Sequence, residues 1–111
     1  MIPDPAPPYE LDASGLFVER TRQMLTRARE LGIGPQVERS VAEIFLQLRQ
    51  RPREWGDPVQ NFRIANFVEY HGRHNKLLCV YSVHVRIPTV VITRLVPQEG
   101  HPLFGENFDA P

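Results

Sequence analysis

Between residues 15 and 50 the apolar positions recur twice at helical spacing. Phe17, Met24, Ala28 and Leu31, with Thr21 among them, form one stripe at i, i+4, i+7, i+11 and i+14. Steps of three and four residues fall on one face of a 3.6-residue helix, so this pattern predicts a helix over 15–31. Asp12 or Ser14 can cap its start, and Gly32 suits the position after its end. A second stripe of Val37, Val41, Ile44, Phe45 and Leu48 predicts a helix over 35–50. Pro35 fits its first position, where a missing N–H costs nothing. The joint Ile33-Gly34 is so short that the two helices must form an antiparallel hairpin. Pro52 ends the second helix, and Arg53-Glu54-Trp55-Gly56-Asp57-Pro58 follows as a turn-rich connector.

Beyond the connector the period falls to two. Phe62, Ile64, Val68 and Tyr70 alternate as one strand, with Asn66 as the polar member of that face. His71-Gly72-Arg73-His74-Asn75 reads as a hairpin loop, followed by a strand over 77–85 and a β-branched strand over 89–96. The last two strands are almost continuously apolar, which predicts central positions covered on both faces. Upstream, residues 9–12 can form one short strand, and the four prolines of residues 1–8 predict an extended arm. The order β-α-α-β-β-β predicts an α+β fold: an N-terminal helical hairpin on one face of a three- to four-stranded, largely antiparallel sheet. The domain would span 9–97. Residues 98–111 would be a loop and tail, pinned by Leu103, Phe104 and Phe108.

Composition narrows the functional field. The chain has 111 residues, 13 Lys+Arg and 13 Asp+Glu, and a formal net charge of zero. Each sign contributes eight residues to 1–56 and five to 57–111, so neither half is basic. That disfavours a protein held to nucleic acid by bulk charge, although a local patch is still open. No apolar run is long enough to span a bilayer, and the N-terminus lacks the pattern of a signal peptide. The single Cys79 cannot form an internal disulfide, which fits a reducing cytoplasm. Inside an apolar strand it reads as a small hydrophobe.

At this point the chain resembles the RelE/ParE superfamily of bacterial toxin–antitoxin modules. The resemblance covers roughly 9–96. It lies in the element order, the tight joint at 32–35, the passage Leu48-Arg-Gln-Arg-Pro-Arg-Glu-Trp-Gly-Asp-Pro58, and the strand Leu77-Leu-Cys-Val-Tyr-Ser-Val83. It implies one of two activities, mRNA cleavage in the ribosomal A site or inhibition of DNA gyrase without hydrolysis. It also implies an antitoxin partner, and a ribosome or RNA target in the first case. Arg94 stands where the family places a last-strand arginine. Leu78 occupies the penultimate-strand position that usually carries an arginine. Leu95, Val96 and Pro97 stand where a His/Tyr pair is usual.

The residues themselves point to the same two classes. RNA cleavage through its own 2′-hydroxyl needs a base, an acid and cations on the phosphate, and histidine is the natural shuttle near neutral pH. The candidate catalytic set is His74, His84, Arg94 and His101, where His101 can serve only if its loop folds back. The candidate substrate-binding set is Arg63, Arg73, Lys76, Tyr81 and Arg86. His84 either caps a strand end or shares a groove with Arg94. Tyr81 is a half-buried aromatic or a proton donor. His71-x-x-His74 has a zinc-like spacing, but no Cys pair or HExxH accompanies it, so neither a metal nor another cofactor is expected. The alternative function is a non-enzymatic module that binds a protein through the same groove.

Overall fold

The computed structural model describes residues 8–64, 66–106 and 108, with backbone only for 60–64. Residues 1–7 of the Pro-rich arm and residues 107 and 109–111 of the tail lie outside the described set. The elements are β1 (Glu10–Ala13), α1 (Gly15–Glu30), α2 (Gly34–Gln50), the single turn α3 (Pro52–Trp55), β2 (Asp57–Ile64), β3 (Phe67–His74), β4 (Leu77–His84) and β5 (Thr89–Pro97). Five strands form one sheet in the order β1-β5-β4-β3-β2. Only the β1–β5 pair is parallel, so the sheet is largely antiparallel, with the helical hairpin on one face. The α+β architecture is as the residue pattern predicts.

Each helix end has a local cause. Ser14, not Asp12, caps α1, its hydroxyl accepting the Phe17 N–H at 3.1 Å. Gly32 takes φ 77° after the helix, a left-handed conformation that glycine adopts without a Cβ clash. Phe17, Met24 and Ala28 are buried as their stripe predicts, but Leu31 is 43% exposed because the helix has already unwound there. From α2, Val37, Val41, Ile44 and Leu48 enter the same core. They meet Leu77, Cys79, Tyr81 and Val83 of β4 and Val90 and Ile92 of β5.

Two expectations need correction. The segment read as one strand through Phe62 and Tyr70 is a hairpin, β2–β3, with Ile64 paired to Phe67 and Asn66 at φ 67° in the turn. The stretch His71–Asn75 is not a loop, because β3 runs through His74, which pairs with Leu77. The true turn is Asn75-Lys76, both left-handed at φ 48° and 64°, the two-residue form whose twist suits a hairpin. Gly72 therefore has a packing role. A Cβ there would strike the Trp55 indole, which lies over it and stacks on Tyr81 at 5.7 Å.

The segment after β5 folds back on the body. Leu103 is fully buried, worth about 1.5–3 kcal/mol of transfer free energy. Phe108 packs at the core margin, whereas Phe104 is 58% exposed and pins nothing.

Candidate functional site

The strand register sorts the candidate side chains by face. Residues directly opposite in a sheet share a face, so Cys79, Tyr81 and Val83 look toward the helices. On the helix-free face, Val80 pairs with His71 on one side and Arg94 on the other. His71, Val80 and Arg94 thus form one row across three strands. The neighbouring row is Arg73, Leu78 and Val96. Strands lie about 4.8 Å apart, so His71 and Arg94 sit roughly 10 Å from each other by Cα position. The Glu69 carboxylate is 3.5 Å from His71 Nε2 and can orient the ring. Arg73 donates through Nε to the Gln98 side chain at 3.2 Å.

Arg94 also borders a pocket at the sheet edge. β1 covers β5 only as far as Ile92, and Thr93 is the extra residue where the β4–β5 register shifts. Beyond that point α1 and the folded-back tail close around β5, leaving a cavity of about 160 Å³. Arg20, Thr21, Thr93, Arg94 and Glu106 supply its polar lining over Phe17, Met24 and Phe108. Glu106 is already engaged by Arg27 Nε at 2.9 Å. Two guanidiniums from different elements beside two hydroxyls can hold a phosphate bidentately. From the sequence, Arg20 is one of three helix-face arginines, with Arg27 and Arg49, that could meet nucleic acid, a solvated face being the default. Its helix-face spacing beside Glu19 reads as solvated surface, and only the tertiary fold carries it to Arg94.

The other candidates divide. His74 and His101 do come together, since the 98–102 loop folds back, and both line a cleft beside α2 with Asn75 and Ser40. Lys76 is adjacent, its ammonium packed against Gly100. His84 lies at the far end of β4, about 24 Å from Leu77 at 3.4 Å per residue. Its Nδ1 accepts the backbone N–H of Arg86 at 3.0 Å and of Ile87 at 3.2 Å, which closes the β4–β5 turn. His84 therefore caps the strand end, four residues along β4 from Val80, the position that pairs with Arg94. Arg86 is exposed in that same turn. Arg63 lies in β2 opposite Val68, and its side chain is outside the described set.

Tyr81 contradicts its assignment to substrate binding. It is fully buried, donates its hydroxyl to the Pro52 carbonyl, and accepts the Gly56 N–H at 3.0 Å. Burial holds its pKa well above the usual phenol value, so it is a neutral core tyrosine. Burial likewise pushes the Cys79 thiol up to about 12, leaving it inert as a nucleophile. Among the described residues, no three His, Cys, Asp or Glu side chains are grouped to hold a metal. No described helix is long and apolar enough to cross a membrane.

No protein-family model and no curated protein sequence matches the chain. Its backbone is similar to a chain in the crystal structure of the archaeal RelE–RelB complex from Pyrococcus horikoshii OT3. The TM-score is 0.56 at 19% sequence identity, covering 84% of this chain and 98% of that one. The fold is RelE-like. The similarity spans nearly all of the archaeal chain.

Proposed function

We propose that this RelE-like chain is a toxin-module protein that grips RNA through Arg94 and Arg20. The observation that carries this reading is that Arg20 and Arg94 line one pocket at the part of β5 that β1 leaves uncovered. Arg73 extends the grip across the helix-free face. His71, oriented by Glu69, is the imidazole best placed in that row to move a proton from a 2′-hydroxyl. As a toxin-module protein it would be held in check by an antitoxin partner.

The test is cleavage of mRNA on translating ribosomes, with growth arrest on induction as the cellular readout. Losing one charge-assisted phosphate contact costs about 1.5–3 kcal/mol, so Arg94→Ala should lower cleavage roughly 10- to 100-fold. His71→Gln should lower the rate while sparing RNA binding. Wild-type protein that cleaves neither free nor ribosome-bound RNA would refute the nuclease reading.

A second reading is a protein-binding module, favoured by an apolar groove between β1, α1 and α2. Leu11, Ala13, Val18, Leu25 and Phe45 line it. Growth arrest without any RNA cleavage, abolished by Leu25→Asp, would select that reading.

A further inference from the structure

The cleft beside α2 is separate from the Arg94 pocket and has its own chemistry. Its volume is about 480 Å³, within the range that encloses small ligands. Ile33, Val37 and Pro102 give it an apolar floor, and Gln36, Arg39, Ser40, Glu43, His74 and His101 provide the polar groups. Ser40, His74 and His101 among them are held by contacts from three elements. Asn75 Nδ2 donates to Ser40 Oγ at 3.2 Å, which ties the β3–β4 turn to α2. The same amide lies 3.3 Å from His74 Nε2. His101 Nδ1 accepts the Leu103 N–H at 3.0 Å, which puts its proton on Nε2.

Each ring therefore keeps a second nitrogen outside its internal contact. Together with Gln36 and the Arg39 guanidinium, these can donate to one ligand. Glu43 is the exception. At 1.5 Å per residue it lies about 10 Å along the helix from Gln36, close to the length of a mononucleotide. Gln36 and Arg39 on one side of Ser40 and the carboxylate on the other match a ligand with phosphate at one end and hydroxyl or amino groups at the other. Desolvation, and secondarily Lys76, lower the His101 pKa, in keeping with a neutral donor at this position.

We propose that this cleft is a binding site for a phosphorylated ligand of mononucleotide size, distinct from the surface that grips RNA. Its phosphate meets Gln36, Arg39 and the two imidazole rings, and its hydroxyl or amino groups meet Glu43.

The experiment is NMR titration of the full chain with AMP, following the His74 and His101 ring protons, with adenosine and inorganic phosphate as separate arms. Saturable shifts at both histidines with millimolar affinity or better are expected, with AMP binding more tightly than either half. Arg39 and Glu43 line the cleft from the surface of α2 without entering the core, so both can be replaced without loss of fold. Arg39→Ala should weaken AMP about tenfold and leave adenosine unchanged, whereas Glu43→Gln should weaken adenosine. Absence of saturable shifts at about 10 mM AMP would overturn the site. Binding that survives Arg39→Ala and is lost in Arg94→Ala would overturn it too, by placing the nucleotide on the RNA-gripping surface. Neither result depends on whether the chain cleaves RNA.

Discussion

Tyr81 shows how much one hydroxyl can organise. Its ring lies between Trp55 and Tyr70, at centroid distances of 5.7 and 5.5 Å, and its oxygen joins the C-terminal side of the hairpin to the start of β2. Tyr81→Phe keeps the stack but leaves a buried Gly56 N–H and Pro52 carbonyl without a partner, at a cost of about 1–3 kcal/mol. Urea denaturation should report that loss, while RNA cleavage per folded molecule stays unchanged. His101 makes a pH prediction. Desolvation first, then Lys76, lowers its native pKa below the ordinary 6.5. Above that value the ring is neutral both folded and unfolded, and its contribution to stability is complete. As pH falls below about 6.5 the unfolded chain takes the proton first, so stability drops until the native pKa is passed. His101→Asn should make the fall in Tm between pH 7 and about pH 5.5 shallower than in wild type. An equal fall in both proteins would show that His101 does not titrate differently on folding.

Among the elements, helices were legible and the hairpins were not, for identifiable reasons. The helical stripes survive because every core residue of α2 sits on the period that burial demands. The β2–β3 turn at Asn66 has neither glycine nor proline to announce it. Gly72, by contrast, looks like a turn residue, yet it is there because Trp55 occupies the space a Cβ would need. Of the site, Arg94 could be singled out as the last-strand arginine of the resemblance, whereas Arg20 reads by default as solvated surface and His71 as one member of a polar cluster. Their roles depend on strand register and helix docking, which no local window contains. The Asn75-Lys76 turn gives a test at this scale. A lysine at φ 64° carries about 1–2 kcal/mol of left-handed strain, offset on replacement by about 0.5–1 kcal/mol of extra glycine entropy. Lys76→Gly should therefore raise stability by up to about 1 kcal/mol. A fall in Tm would show that the packing of Lys76 on Gly100 outweighs the strain.

For the whole molecule, the balance of 13 cations and 13 anions limits how RNA can be held. If Arg20, Arg73 and Arg94 are the phosphate contacts, about three counterions leave the RNA. Log affinity should then fall against log salt with a slope near −2, and Arg94→Ala should flatten it by about 0.7. A slope of about −5 or steeper would require a cationic surface that a neutral chain of this kind does not carry. The sheet closure has a consequence in time as well as in space. Glu10 of β1 pairs with Thr89 of β5, so the first strand must wait 79 positions for its neighbour. A ribosome releases the chain in order, and loop closure over that span comes after the local hairpins have formed. Until β5 has emerged there is no strand for β1 to join and no Arg94 to face Arg20. On the proposed function, the nascent chain cannot grip RNA before its last strand is in place, because that strand both pairs with β1 and carries Arg94.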